Sequence, residues 1–170
     1  MASRAEQVCD ALVSLFDAAD AAELFNTTLG ATRSYVSLSD LTEVGESVVA
    51  LVVPQMTIRQ RVSNGSDARY VVVDILVLAH LTNTASDDRT TVDSRVELLE
   101  QIDNYLAGDA QADLTLSDGK TAEYVEPTDE RADASEIRKG LGVLYDVDDI
   151  ARKRQVTGLV RVAYMVDETY

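Results

Sequence analysis

The sequence predicts an α+β fold. Its sheet is mixed or antiparallel, contains a long β-hairpin, and is packed by two main helices on one face. Three observations support this class: two segments with helical spacing of apolar residues, a turn flanked by two alternating strand-like segments, and a closing strand-like segment. At 170 residues the chain has the size of one domain, so residues 1–170 are taken as a single domain. Without Trp, and with two Phe, the core must be aliphatic.

The first helix is predicted over residues 3–19. Ser3 and Glu6 have the spacing of a capping box, in which each side chain accepts a hydrogen bond from the other residue's backbone N–H. Apolar residues then recur at helical intervals, at Val8, Leu12, Leu15 and Phe16. The segment that follows is rich in Thr, Ser and Gly, and weak alternation near Tyr35 predicts a loop with one short strand.

A short apolar strand is predicted over residues 47–53. Pro54 lacks a backbone donor, so we expect this strand to bend, bulge or end there and a fresh strand to begin at Gln55. Residues 55–62 alternate cleanly, and Asn64-Gly65 tolerates the positive φ of a tight turn. The chain then returns through residues 69–81, which completes a long antiparallel hairpin.

This returning strand raises a question about what covers it. A half-buried strand alternates apolar and polar residues, yet both alternating sets are apolar here. One set runs from Val71 to Ala79, and the other, from Tyr70 to Leu78, is interrupted by Asp74. Two helices that each carry one apolar stripe can shield one face of a hairpin, so the other face is left without a cover.

The second helix is predicted over "VDSRVELLEQIDNYLAG", residues 92–108. Its apolar stripe is Val92, Val96, Leu99, Ile102 and Leu106, and Gly108 suits a helix C-terminus. The polar segment before it ends in Thr90 and Thr91, which are predicted to cap the helix.

Residues 109–154 are predicted to form an acidic, loop-rich insertion. A short hairpin around Asp118-Gly119 fits its first part, and residues 128–140 could form a helical turn or two. A strand over residues 155–166 closes the chain, again apolar at alternate positions and partly apolar between them.

The charge of the chain limits the possible partners. A formal net charge of -15 disfavours direct binding of nucleic acid, because that affinity comes largely from Lys and Arg. Cys9 is the single cysteine and is expected to be a packing residue in a reducing compartment. No stretch approaches the ~18 apolar residues that span a bilayer, which favours a cytoplasmic protein without a membrane partner.

No catalytic, metal or cofactor site is predicted. His80 is the sole histidine, and neither a serine-hydrolase elbow nor a phosphate-binding glycine loop occurs. The acids at 146–149 lack the glycine and distal Glu of a Ca²⁺ loop. Asp74 cannot remain buried and ionised without a partner, so we expect it to face solvent or a lumen, or to pair with a nearby arginine. The arginines at 59, 61 and 69 are the candidates.

The basic trio Arg152, Lys153 and Arg154 directly follows the acids at 146–149. It is typical of an exposed turn, and a contact between this trio and those acids on a neighbouring subunit is a further hypothesis.

In order, the helix, the hairpin "RQRVSNGSDARYVVVDILVLAHL", the helix "RVELLEQIDNYLAG" and the strand "TGLVRVAYMV" resemble the tail-terminator and head-to-tail joining proteins of long-tailed bacteriophages. The resemblance implies a structural virion protein without enzymatic activity. It implies a hexameric ring that is assembled in the host cytoplasm, caps the tail tube and contacts the neck or head-completion protein. DNA would pass through an acidic lumen without specific binding.

Under this resemblance, a neighbouring subunit would cover the open face of the hairpin. The expected interface residues are Arg59, Arg61, Arg69, Tyr70, Val72, Asp74, Leu76, Arg152, Lys153 and Arg154. A head-completion or neck adaptor is the nearest alternative. A different class is a small cytoplasmic ligand-binding or enzymatic domain whose site contains Asp74, His80 and an acidic loop.

Overall fold

The computed structural model describes residues 2–35, 48–80, 88–108, 113–127, 141–146 and 155–169. Within them lie two helices and seven strands. The helices are α1 (Arg4–Ala21) and α2 (Asp88–Ala107). The strands are β1 (Thr32–Arg33), β2 (Val49–Ser63), β3 (Ser66–His80), β4 (Leu114–Thr115), β5 (Thr121–Tyr124), β6 (Gly142–Asp146) and β7 (Gln155–Thr169). The predicted α+β class is confirmed.

The strands form one mixed sheet in the order β1-β2-β3-β7-β5-β4, and β6 also pairs with β7. β1 runs parallel to β2, and all other pairings are antiparallel. β2, β3 and β7 each have 15 residues and form the centre of the sheet. The outer side of β7 is shared, because β5 pairs with its residues 164–166 and β6 with its residues 157–161.

The predicted hairpin is present, with Gly65 at a positive φ of 120° in its turn. The expectation that a fresh strand begins after Pro54 is wrong. β2 is continuous, and its register against β3 passes from Pro54 opposite Val73 to Met56 opposite Val72. Gln55 is therefore the extra residue of a β-bulge, which accommodates the proline without ending the strand.

One face of β3 carries the main core. Its odd-numbered residues Val71, Val73, Ile75, Val77 and Ala79 belong to the same buried cluster as residues from both helices. The helical members of this cluster are Val8, Cys9, Leu12, Phe16, Leu98, Leu99, Ile102 and Leu106. We call this side of the sheet the core face.

The other side of the sheet, which carries the even-numbered residues of β3, is called the second face. The expectation that a neighbouring subunit must cover it is wrong, because Tyr70 is 3% exposed and Leu76 is 7% exposed in the single chain. Val125, beyond β5, belongs to the same buried cluster as Tyr70, and Leu141, before β6, packs against that cluster. The insertion that the sequence analysis treated as loop-rich therefore supplies part of the cover.

The two predicted helices are confirmed, although α1 extends to Ala21 and α2 spans Asp88–Ala107. Ser3 is the N-cap of α1, and the full capping box with Glu6 is present. α2 begins at Asp88, so Thr90 and Thr91 lie inside the helix and do not cap it.

The insertion contains more regular structure than the sequence indicated. The hairpin around Asp118-Gly119 is confirmed by the pairing of β4 with β5, and Gly119 has a positive φ of 81°. β6 was missed. The predicted helical turn at 128–140 lies outside the described residues.

Candidate functional site

The buried Asp74 is held by an ion pair with the partly buried Arg161 of the same chain. The guanidinium of Arg161 donates to both carboxylate oxygens, with Nε 2.6 Å from Oδ1 and Nη2 2.7 Å from Oδ2. The two residues are directly opposite each other on β3 and β7. The partner of Asp74 is therefore Arg161, and the expected pairing with Arg59, Arg61 or Arg69 is wrong. This bidentate contact raises the pKa of Arg161.

Four predicted interface residues do not offer an accessible surface. Tyr70, Val72, Asp74 and Leu76 are all buried by the chain itself. Arg69 is partly buried, and Arg59 and Arg61 are exposed. The predicted trio at 152–154 lies outside the described residues, so the hypothesis about it stays a prediction.

The alternative site with Asp74 and His80 is not supported by the strand geometry. Both residues lie on β3, six positions apart, which separates them by about 20 Å along an extended strand. Asp74 is also fully engaged by Arg161. A single small-molecule site that uses both side chains does not fit this arrangement.

The exposed part of β2, residues 55–63, remains as a surface that could bind a partner. We call it the distal edge. Val62 is 62% exposed, Met56 is exposed as well, and the side chain of Arg59 is 60% exposed. β1 pairs with β2 at Leu51 and Val52. Among the described residues, no strand pairs with the outer side of the distal edge, so its backbone groups form an open sheet edge.

Polar side chains lie on the core-face side of the distal edge. Arg59 forms an ion pair with the buried Asp67, and Arg61 Nη2 donates to Asn64 Oδ1 over 3.2 Å. An open depression of about 540 Å³ lies here, and it is lined by Arg59, Arg61, Ser63, Gly65, Ser66 and Asp67. The two arginines thus stand on one side of an open strand, in a chain of net charge -15.

An ion-pair network joins the start of α1 to the end of β7. Arg4 donates to Glu168, with 2.5 Å between Nε and Oε1, and also contacts Asp118. Lys120 Nζ lies 2.6 Å from Glu168 Oε2. The hydrogen bonds from Arg4 lower the pKa of Glu168 to about 2. This network ties the β4–β5 hairpin to α1 and to β7.

A second open depression, of about 520 Å³, lies between α1 and β4. We call it the α1–β4 groove. Its lining combines apolar residues with two carboxylates; the apolar members are Ala11, Leu15, Ala18, Leu114 and Leu116, and the acids are Asp10 and Asp113. Asp10 accepts two hydrogen bonds of 2.8 Å from Arg33, and Asp113 accepts one from the backbone N–H of Tyr124. The groove therefore combines apolar and acidic character.

Other reactive groups of the described residues give no assembled site. Cys9 is buried as expected, and burial raises the pKa of its thiol to about 12. Within the described ranges, no three His, Cys, Asp or Glu residues lie together as a metal-ligand group. Neither described helix is long and apolar enough to cross a bilayer. The side chain of His80 lies outside the description.

The sequence analysis missed Arg161 and the α1–β4 groove. The sequence does contain a signal for Arg161. On the second-face side of β7 it is the one charged residue between Leu159 and Met165. Asp74 is likewise the one charged residue on that side of β3 between Tyr70 and Leu78. The groove had no comparable signal, since α1 and β4 are brought together by the sheet order.

Comparison of the sequence with models of known protein families, and with curated proteins, gives no match.

Proposed function

We propose that this protein is a structural assembly protein of a long-tailed bacteriophage, a tail terminator that forms a ring on the end of the tail tube. The order of elements in the resemblance is helix, long hairpin, helix and closing strand, and the chain has these elements in that order. In this role the protein acts by association and not by catalysis. The finished ring would seal the tube and offer a platform to the neck.

The distal edge is the observation that carries the proposal. It is an open strand edge with exposed apolar and cationic side chains, and open edges are the parts of a sheet that pair with another chain. The second face is already covered, so copies would associate through an edge and not by covering an apolar face.

The acidity of the chain is compatible with a channel for DNA. Carboxylates around a lumen would repel phosphates and so prevent the genome from adhering, an effect that screening limits to roughly 8 Å at physiological salt.

The first test is the size of the purified full-length protein in solution. Size-exclusion chromatography with light scattering at several concentrations should show a multimer, and negative-stain images should show uniform annuli. A chain that is monomeric at every concentration, and that neither forms rings nor binds isolated tail tubes, would contradict the proposal.

The second test is genetic and separates the terminator from a neck adaptor. Disruption of the gene in its phage should leave unsealed tubes of irregular length if the protein is a terminator. Normal tails that fail to join filled heads would instead identify an adaptor.

A further inference from the structure

One row of paired residues crosses the sheet from β2 to β4, near the end at which the β2–β3 turn lies. It begins at Arg59 on β2 and continues through Arg69 on β3, Val166 on β7 and Ala122 on β5 to Leu114 on β4. The distal edge and β4 therefore lie at opposite edges of the sheet, at the same level along the strands. Copies placed side by side would bring these two edges together.

The strand directions are compatible with this contact. Four antiparallel pairings separate β2 from β4, so the two strands run in the same direction within one subunit. The β2 strand of another copy would join β4 as a parallel neighbour and continue the sheet. In the described part of the chain, the outer side of β4 has no strand partner.

The side chains at the two edges have complementary chemistry. Arg59 and Arg61 stand on the core-face side of β2, because they pair with Arg69 and Asp67, the odd-numbered residues of β3. α1, which packs on the core face, forms one wall of the α1–β4 groove. Arg59 is paired with Asp67, and Asp10 with Arg33, within each chain. The complementary charges that a second copy would bring together are therefore those of Arg61 and Asp113.

We propose that a second copy of this chain docks its distal edge beside β4 and places Arg61 in the α1–β4 groove, next to Asp113. This inference rests on the proposed function and names the surfaces through which the ring would form. The contact is heterologous, since it joins two different surfaces, and such contacts produce a ring when the rotation between copies closes.

Cysteine cross-linking tests the contact directly. Thr57, on the core-face side of the distal edge, and Ser14, on the lining of the groove, are both exposed. A mixture of the Thr57→Cys and Ser14→Cys proteins, treated with a short bis-maleimide, should give cross-linked dimers. The chain with both substitutions should give a ladder of multimers that ends at the subunit number of the ring. Cys9 is 0% exposed and should not react.

The control pairs Thr57→Cys with Leu24→Cys, at an exposed position beyond the end of α1 and outside the groove. This mixture should give no dimer. Multimers by light scattering without a Thr57–Ser14 cross-link would refute the docking proposal and leave the proposed function standing. A protein that is monomeric under all conditions would refute both.

Charge reversal provides an independent test. Arg61→Glu should weaken self-association about tenfold or more, because it places like charges together in the groove. Gln60→Glu adds a negative charge on the other side of the same strand and should have little effect. Adding Asp113→Arg to Arg61→Glu should restore assembly. Circular dichroism verifies that each variant is folded, and failure of the double substitution to restore assembly would contradict the proposed contact.

Discussion

Removing one member of the buried Asp74–Arg161 pair should destabilise the protein far more than removing both. Arg161→Met leaves a carboxylate whose side chain is 4% exposed on a central strand, without its cation. Breaking a buried pair in this way costs about 3–5 kcal/mol. Asp74→Leu leaves the guanidinium of Arg161, which is 29% exposed and can turn towards water, so a smaller loss of about 1–3 kcal/mol is expected.

The double variant Asp74→Leu/Arg161→Met removes both charges and, with them, the free-energy cost of taking these charges out of water. Its free energy of unfolding should lie within about 1 kcal/mol of the wild-type value or above it, because an apolar pair of similar size often replaces a buried ion pair without loss. The coupling free energy, which is the difference between the effect of the double substitution and the sum of the two single effects, is then several kcal/mol.

Urea unfolding followed by far-ultraviolet circular dichroism measures these values, since the chain has no Trp to report on its core. All variants should be compared at one fixed protein concentration, because association also stabilises the folded state. A loss below about 1 kcal/mol for Arg161→Met, or additive single effects, would refute the reasoning.

Four further predictions use the same unfolding assay. Gly158→Ala should cost about 1–3 kcal/mol, because the new Cβ would clash with the side chain of Leu99, and Leu99→Ala should partly relieve that cost; fully additive losses would argue against the clash. Ser3→Ala removes the N-cap of α1 and should cost about 1 kcal/mol, while an unchanged urea midpoint would show that the cap contributes little. Glu168 has its pKa lowered from 4.5 to about 2, so its stabilising contribution is complete above pH 4.5 and is lost as the pH falls towards 2; Glu168→Gln should flatten that part of the pH profile. Tyr164→Phe should keep stability or raise it by up to about 1 kcal/mol, because the buried hydroxyl has no hydrogen-bond partner among the described residues, and a clear loss would reveal one.

The distal edge also carries features that protect a strand edge against aggregation. Pro54, the bulge at Gln55 and the arginines at 59 and 61 are features that usually prevent indiscriminate pairing of an edge strand. Under the proposed docking, the same features would limit the edge to a partner of opposite charge in one register, as a closed ring requires and an open aggregate does not.

Local patterns alone determined the helices and the hairpin. The capping box at Ser3, the apolar stripe of α2 and the turn at Asn64-Gly65 involve residues close together in the chain, where spacing specifies geometry. The start of α2 was misplaced because helix ends depend on weak local signals.

Only the tertiary structure decided what covers the second face and which cation holds Asp74. Val125 and Leu141 are far from β3 in the sequence, and no period or spacing connects them to it. Arg161 is an isolated charge on an apolar strand, as Asp74 is, but only the pairing of β3 with β7 places the two residues opposite each other. Pairing between distant strands depends on sheet order, which follows from the packing of the whole chain and not from any single segment. For the same reason the sequence could indicate apolar strands, but it could not tell whether the cover came from the same chain or from a second copy.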